Sequence, residues 1–341
     1  MVDWVRVQAP VRVLDAGGWT DTWFARTGKV CHVAAGPGAE VFARCYPGRS
    51  AAAGATTVQL RVPDFAEEYG FSTDAPPGRH PLLEATLCHW APKDSHLEVR
   101  LASDVPPGSS LGTSATVVVA LLAALHALSG NDDDRTALAR AAHEIETVDL
   151  CLQSGVQDQA AAAFGGVNVV DIAPYPTFTV RQLGISPETW EALGRRVVTV
   201  YLGARHVSSA MHETVIKRLA GDELYAERLL APLRAAAENA ATALVAGDIA
   251  AYGEAMITNT HAQAGLHPAL VSEPAQEVIE LARRHGAVGW KVNGAGGDGG
   301  TVSLIGPDDP GPLLRALQEL AAVTVLALQP SAAGARVIDQ G

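Results

Sequence analysis

The sequence predicts an α+β fold arranged in two domains. The chain has 341 residues, of which 48% are hydrophobic, and this is enough apolar material for about two packed cores. Strands and helices alternate in its second half in an order that suits helices on one face of an antiparallel sheet. A turn-rich stretch at 174–194 separates the two halves. We therefore expect one domain over 1–180 and a second over 181–341.

Hydrophobic patterning identifies the elements of the first half. Alternating apolar segments predict strands, and longer apolar or Ala-rich segments predict helices. The predicted strands are 5–7, 11–14, a pair within 30–43, 58–62, 97–102 and 167–172. The predicted helices are 81–89, 115–128, 136–146 and 160–164, the last ending at a glycine pair that favours a C-cap.

The second half is richer in long helices. The predicted helices are 223–246, 248–261, 273–285 and 311–320. The predicted strands are 196–202, 287–293, 301–305 and 324–328. Their order is the basis for the predicted layer of helices on an antiparallel sheet.

Charge and cysteine content exclude several classes of protein. The chain carries 25 Lys and Arg against 37 Asp and Glu, for a net charge of −12, so we expect no nucleic-acid partner. We also expect no membrane segment, because long uncharged apolar runs are missing, and no signal peptide at the N-terminus. The four scattered cysteines are interpreted as small buried hydrophobic residues in a reducing compartment: Cys31, Cys45, Cys88 and Cys151. The expected location is the cytoplasm.

A glycine loop at 106–115 lies between a predicted strand and a predicted apolar helix. Free backbone N–H groups converge at a helix N-terminus, where the helix dipole also favours an anion. The loop lacks the Lys of a Walker A motif, so a phosphate would be held in another way. Taken alone, the loop is equally compatible with simple capping of a core helix by Gly112 and Ser114.

Two carboxylates and one arginine are candidates for phosphoryl-transfer chemistry. Glu146 ends a predicted helix, and Asp158 follows twelve positions later in a glycine-containing segment. One carboxylate can accept a hydroxyl proton while the other, with the Ser114 hydroxyl, holds Mg²⁺. Arg12 lies in an apolar strand, where a buried guanidinium needs an anionic partner. Each residue alone also fits a surface or capping role, and only the combination favours chemistry.

Three ordered motifs resemble those of the GHMP kinases, the family of galactokinase, homoserine kinase, mevalonate kinase and phosphomevalonate kinase. The segment 106–115 resembles the phosphate loop PPGxGLGSSA, with Ser110 at a position where the family usually has glycine. The segment 9–21 resembles the sugar-kinase pattern APGRVNLIGEHTD with equal spacing. The segment 294–299 resembles the third motif GAGGGG, with Asp298 replacing a glycine. This resemblance implies a ribosomal-S5-domain-2-like N-terminal domain and a ferredoxin-like α+β C-terminal domain.

The resemblance also implies roles at matching positions. Asp158 matches the catalytic base, Arg12 the arginine of the first motif, and Glu146 with Ser114 the magnesium ligands. The implied ATP-binding residues are Pro107, Gly108, Ser109, Ser110, Leu111, Gly112, Thr113, Ser114, Gly296 and Gly297. The implied substrate-binding residues are Gly18, Trp19, Asp21, Gln157 and Gly294. We expect Asp298 to point away from the phosphates or to contact magnesium or ribose, because an Asp beside phosphates would repel them.

Departures from the family patterns narrow the implied substrate. Gly18 and Trp19 replace the Glu-His pair that galactokinases use on the sugar, whereas 17–22 is similar to the GGWTDT of L-fucokinase domains. The segments 144–146 and 157–166 are more similar to heptose 7-phosphate kinases. Both subgroups phosphorylate the anomeric hydroxyl. A phosphorylated sugar would need cations, for which the candidates are Arg205, His206, Lys217 and Arg218, unless these form a solvated helix face.

The implied activity is an ATP- and Mg²⁺-dependent kinase acting on the C1 hydroxyl of a sugar or sugar phosphate. The expected partners are this small molecule and ATP, with the chain a monomer or homodimer. A GHMP-like sensor that binds sugar and ATP without catalysis is the alternative. ATP-dependent decarboxylation fits less well, because the sugar-type first motif is intact.

Overall fold

The computed structural model describes residues 2–48, 56–131, 134–203 and 208–341. Its strands are β1 (Trp4–Ala16), β2 (Gly28–Pro47), β3 (Thr57–Val62), β4 (Glu67–Ser72), β5 (Ser95–Ser103), β6 (Val167–Ile172), β7 (Phe178–Gln182), β8 (Val197–Tyr201), β9 (Gly289–Val292), β10 (Thr301–Ile305), β11 (Thr324–Leu326), β12 (Gln329–Pro330) and β13 (Arg336–Gln340). Its helices are α1 (Pro81–Trp90), α2 (Thr113–Leu128), α3 (Arg135–Glu144), α4 (Gln157–Phe164), α5 (Pro187–Arg196), α6 (Ser208–Leu219), α7 (Glu223–Ala246), α8 (Ile249–Leu266), α9 (Glu273–Arg284) and α10 (Gly311–Gln318). Short 3-10 turns span Pro63–Phe65 and Pro268–Leu270, and a π-helical turn spans Ile145–Asp149.

Two sheets organise these elements. The larger sheet has the order β13-β1-β2-β5-β3-β4, with β12 and β6 also paired to β2 and β7 paired to β6. Within it, β3 and β5 are parallel, and the other pairs are antiparallel. The smaller sheet has the order β11-β8-β10-β9 and is antiparallel throughout. The predicted α+β class is therefore confirmed.

Helix α2 packs at the centre of the elements around the larger sheet. Its sequence is apolar on all faces, and eleven of its side chains are buried, as expected of a helix surrounded by protein. It packs against β1 and β2 of the large sheet and against α3 and α4. This packing fixes the position of its N-terminus, where the predicted phosphate loop ends.

Several strands are longer than the sequence patterns predict. Pro10 does not end a strand as expected, because β1 runs continuously past it. The register with β2 shifts between Ala9 and Val11, and this irregularity accommodates a residue that lacks an N–H donor. The strand pair predicted within 30–43 is the single long strand β2. The stretch 174–194, predicted as turns, contains β7 and most of α5.

The end of the chain returns to the first sheet. Strand β13 pairs with β1, and β12 pairs with β2. Residues 329–340 therefore add strands to the sheet formed by the N-terminal half. The predicted domains, 1–180 and 181–341, do not include this return of the chain. Short-range patterning cannot reveal such pairings, because their partners are roughly 290 to 335 residues apart in sequence.

Two other sequence expectations can be compared with the described residues. Cys31 and Cys45 are buried as expected, but Cys88 is only partly buried and Cys151 is exposed. Across the described ranges, none of the helices combines the length and apolar character needed to cross a membrane.

Candidate active site

A cleft of about 800 Å³ brings the three glycine-containing motifs together. Its walls include Arg12 and Asp21 from the first motif and Gly294 from the third. The phosphate-loop residues on the wall are Pro107, Gly108, Ser109, Ser110, Gly112, Thr113 and Ser114. Glu146, Gln157 and Asp158 line the same cleft. Residues as far apart in the sequence as Arg12 and Gly294 thus face one space.

The Arg12 side chain is held between the loop and the carboxylate of Asp158. Its Nε donates to Asp158 Oδ1 at 2.8 Å, and its Nη1 donates to the carbonyl of Ser110 at 2.7 Å. Arg12 is 3% exposed. Burial disfavours the charged guanidinium, but the carboxylates of Asp15, Asp158 and Asp21 outweigh this effect and raise the pKa of Arg12. The anionic partner predicted for Arg12 is therefore Asp158, together with Asp15.

Gly112 allows the helix N-terminus to approach Asp158. It is the N-cap of α2 and has φ +78°, a left-handed conformation that favours glycine. A Cβ atom at this position would lie 2.7 Å from Asp158 Cγ. Only glycine at this position therefore permits the Asp158 carboxylate to lie beside the first turn of α2. The backbone N–H groups of that turn have no intrahelical partner.

Asp21 fixes the helix that carries Asp158. Its Oδ2 accepts hydrogen bonds from the N–H groups of Val156 and Gln157, at the start of α4. Gly155 passes so close that a Cβ there would lie 2.1 Å from Asp21 Oδ2. Burial raises the pKa of Asp21 to about 6, and the nearby Asp158 charge adds to this while the Gln157 N–H opposes it.

Glu146 presents a buried carboxylate to the cleft from the π-helical turn that follows α3. Its Oε2 accepts a hydrogen bond from Gln159 Nε2 at 3.0 Å, whereas its buried Oε1 has no hydrogen-bond partner among the described residues. Burial raises the pKa of Glu146 to about 7, with the Asp158 charge adding to the effect and hydrogen bonds from Ser154 and Gln159 opposing it. An unsatisfied carboxylate oxygen at this depth fits a bound cation, which would replace the missing partner. Ser114 is exposed on the same cleft.

Some residues expected at the site lie behind the cleft wall. Leu111 is fully buried, and its carbonyl accepts the backbone N–H of Arg12 at 3.2 Å. Gly18 packs against Asp15 and Gln157, behind the Trp19 side chain that does line the cleft.

The third motif is only partly at the cleft. Gly294 contributes to the wall, but Gly296 packs against the carbonyl of Leu270, and the N–H of Gly297 donates to that same carbonyl. The two later glycines thus make a close contact with the 3-10 turn Pro268–Leu270. Asp298 is exposed and is not among the residues that line the cleft.

The proposed cation cluster for a sugar phosphate is not assembled by its described members. Lys217 is exposed, with Nζ 3.7 Å from Glu213 Oε2, and Arg218 donates to the carbonyl of Leu266. Arg205 and His206 lie outside the described residues. The described part of α6 contributes an acidic residue, Glu213, to the cleft wall.

Four polar residues at or behind the site have no role in the sequence predictions. Gln159 donates hydrogen bonds to Glu146 and to Ser154. Asp15 and Lys291 are buried near Arg12, where Asp15 lies within ion-pair distance of both Arg12 and Lys291. A charged residue within an apolar strand, as at Lys291, is the sequence signal that indicates a buried partner. Asp15, within the apolar strand β1, carries the same signal, whereas Gln159 and Ser154 stand beside other polar residues and lack a distinct pattern.

Comparison with known proteins gives a consistent assignment. Residues 82–166 match the family described as GHMP kinases N terminal domain. The chain is 28% identical over 217 residues, or 64% of its length, to a D-glycero-alpha-D-manno-heptose 7-phosphate kinase of Campylobacter jejuni. It is 27% identical over 236 residues, or 61% of its length, to a galactokinase of Mycobacterium tuberculosis. The matches span 63% and 64% of these two relatives.

The fold is shared over a greater length than the sequence. A crystal structure of a D-glycero-D-manno-heptose 1-phosphate kinase from Bacteroides thetaiotaomicron superposes with a TM-score of 0.74 at 21% identity. The superposition covers 98% of this chain and 99% of the other. Residues 82–166 therefore match a GHMP kinase N-terminal domain, and the chain as a whole shares the fold of this heptose 1-phosphate kinase structure.

Proposed function

We propose that this protein is an ATP-dependent sugar kinase. It transfers the γ-phosphoryl group of ATP to the anomeric C1 hydroxyl of a sugar or sugar phosphate that resembles D-glycero-D-manno-heptose 7-phosphate or L-fucose. The observation that carries the proposal is the pairing of Asp158 Oδ1 with Arg12 Nε at 2.8 Å, directly beside the N-terminus of α2. The relatives named for heptose phosphate and galactose chemistry support the substrate class.

Asp158 acts as the general base in this proposal. The sugar hydroxyl gives its proton to Asp158 as its oxygen forms a bond to the γ-phosphorus. The bond between that phosphorus and the β,γ-bridging oxygen breaks, and ADP leaves with the electron pair. Arg12 stabilises the charge on the transferring group, and the first turn of α2 binds phosphate oxygens through backbone N–H groups.

Glu146 and Ser114 are the proposed Mg²⁺ ligands. Held there, Mg²⁺ would supply positive charge to offset the phosphate charge during transfer. Glu146 suits this role because its Oε1 is buried at the cleft without a hydrogen-bond partner among the described residues. Two protein ligands suffice, because Mg²⁺ usually keeps several waters and binds substrate phosphates.

Trp19, Asp21, Gln157 and Gly294 form the proposed sugar side of the cleft. They lie around Asp158, and the N–H groups of α4 hold Asp21 in place. Gly18 supports this surface from behind. Of the residues expected to bind ATP, Gly296 and Gly297 are assigned a packing role in this proposal, because Leu270 takes up their contacts.

A substrate screen with one matched pair of variants tests the proposal. ADP release is measured with L-fucose, D-glycero-D-manno-heptose 7-phosphate, galactose, arabinose and mannose. We expect Asp158→Asn to retain ATP binding but to lose at least about a hundredfold in kcat, which is the usual size of a general-base contribution. Asp171→Asn is the control, because it makes the same change in a carboxylate that pairs with Lys29 on β2 and not with Arg12.

Two results would refute the proposal in different ways. Binding of both ATP and a sugar without any release of ADP would favour a catalytically silent sensor. Turnover of Asp158→Asn equal to that of the wild type would remove Asp158 from the role of base.

A further inference from the structure

A second buried carboxylate lies on the far side of Arg12. Asp15, near the end of β1, is fully buried, and its Oδ1 lies 3.5 Å from Arg12 Nη1. The same oxygen lies 3.8 Å from Lys291 Nζ, on β9 of the other sheet. The side chains of Lys291, Asp15, Arg12 and Asp158 therefore form a row of alternating charge that ends at the cleft.

Asp15 also reaches the third glycine motif. Both of its carboxylate oxygens lie 3.3 Å from the backbone N–H donor of Gly294. Gln263 Nε2 donates to the carbonyl of Gly294 at 3.1 Å, and Gln263 Oε1 accepts from Lys291 Nζ at 2.8 Å. Lys291 also donates to the carbonyl of Val292. Asp15 thus joins the first motif to the wall that the third motif contributes.

This arrangement satisfies charges that would otherwise be costly. Lys291 is 1% exposed, and burial lowers its pKa to about 8 while Asp15 opposes that shift and Arg12 adds to it. An unpaired buried charge is strongly destabilising, whereas a pair with additional hydrogen bonds is tolerated. Without Asp15, Lys291 would lose the carboxylate beside it, and Arg12 would keep only the ion pair with Asp158.

The proposed chemistry gives this second carboxylate a use. When Asp158 takes the proton of the substrate, it loses the negative charge that holds Arg12. A guanidinium held by Asp158 alone would lose its ionic partner at the moment when it faces the transferring phosphoryl group. Asp15 lies on the opposite side, between the two cations Arg12 and Lys291, and takes no part in the proton transfer.

We propose that Asp15 is a positioning residue that holds Arg12 and Gly294 at the cleft, with Lys291 as the cation that permits its burial. The proposal rests on the kinase function proposed above. Asp15 acts through Arg12 and takes no proton from the substrate.

Three variants separate positioning from simple charge balance: Asp15→Asn, Lys291→Met and the double variant. Each single change leaves a buried charge poorly balanced, so we expect both to lower Tm. The double variant removes an anion and a cation together and should recover most of the lost Tm. In kcat, we expect a loss of at least about tenfold in Asp15→Asn and in the double variant, with a smaller loss in Lys291→Met and little change in the KM for ATP.

A readout without turnover follows Arg12 itself. The Nε–Hε resonance of Arg12 in ¹⁵N-labelled protein is assigned by its loss in Arg12→Lys. We expect it to be sharp and slowly exchanging in the wild type and in Lys291→Met. It should broaden or exchange faster in Asp15→Asn and in the double variant.

The results distinguish this proposal from the kinase assignment. Recovery of both Tm and kcat in the double variant would reduce Asp15 to a counter-ion for Lys291 and overturn the positioning role. An Arg12 resonance unchanged in Asp15→Asn would overturn it as well, whether or not the protein turns over sugars. If wild-type protein releases no ADP but Asp15→Asn frees Arg12, positioning is supported and the proposed kinase function fails.

Discussion

Replacing Glu146 by Gln is expected to stabilise the protein at pH 8 while removing its Mg²⁺-dependent activity. The side chain is buried, and its Oε1 has no hydrogen-bond partner in the described part of the chain. Glutamine keeps nearly the same shape and can still accept from Gln159 Nε2, but it carries no charge. The substitution therefore isolates the free-energy cost of burying this carboxylate without its cation.

The size of the effect follows from the pKa of Glu146. Burial, the largest cause, raises this pKa from the ordinary 4.5 to about 7. Each pKa unit corresponds to about 1.4 kcal/mol, so ionised Glu146 lowers the free energy of unfolding by about 3 kcal/mol at pH 8. Between pH 4.5 and 7 the folded state holds a proton that the unfolded chain has released, so this cost grows as pH rises. At pH 5 it falls below about 1 kcal/mol.

Chemical denaturation without Mg²⁺ at pH 5 and pH 8 measures this difference. We expect Glu146→Gln to be more stable than the wild type at pH 8, with most of the advantage gone at pH 5. Glu144→Gln is the matched control, because Glu144 is exposed two positions earlier and should show no such pH dependence. A Glu146→Gln variant that is less stable than the wild type at pH 8, or equally shifted at both pH values, would refute the reasoning.

Three further outcomes are expected. Gly112→Ala places a Cβ 2.7 Å from Asp158 Cγ, at a position where the backbone is left-handed. We therefore expect Tm to fall and kcat to drop at least about tenfold, and unchanged kinetics would show that the contact is easily relieved. Gln159→Leu removes the donor to Glu146 Oε2, so the apparent KM for Mg²⁺ in an ADP-release assay should rise several-fold, with a smaller effect on the KM for sugar. The apparent KM for Mg²⁺ should also rise as pH falls below about 7, because Glu146 becomes protonated there, and a flat profile from pH 6 to 8 would contradict this assignment.

The phosphate loop illustrates what local sequence can predict. Glycines and hydroxyl residues before an apolar run predict a helix N-terminus, and α2 begins at Thr113, two residues before the predicted start at 115. The apolar run also predicts that the helix is buried. These features depend on neighbours a few residues apart, which a sequence displays directly.

The first motif shows where such reasoning ends. A buried Arg12 was predicted to need an anion, but the pattern could not choose between a structural carboxylate and a ligand. The structure supplies two carboxylates, Asp158 on one side and Asp15 on the other. Neither distance follows from spacing, because β1, α4 and β9 meet only after both sheets have formed.

Short-range periodicity and side-chain chemistry were enough to predict the α+β class, the two glycine loops and the candidate residues for phosphoryl transfer. Tertiary structure alone decided that β13 completes the first sheet, that Gly296 and Gly297 pack on Leu270, and that Asp15 links Arg12 to Lys291. Each of these is a contact between segments far apart in the chain, and such contacts are selected by the packing of the whole core and by the need to pair every buried charge.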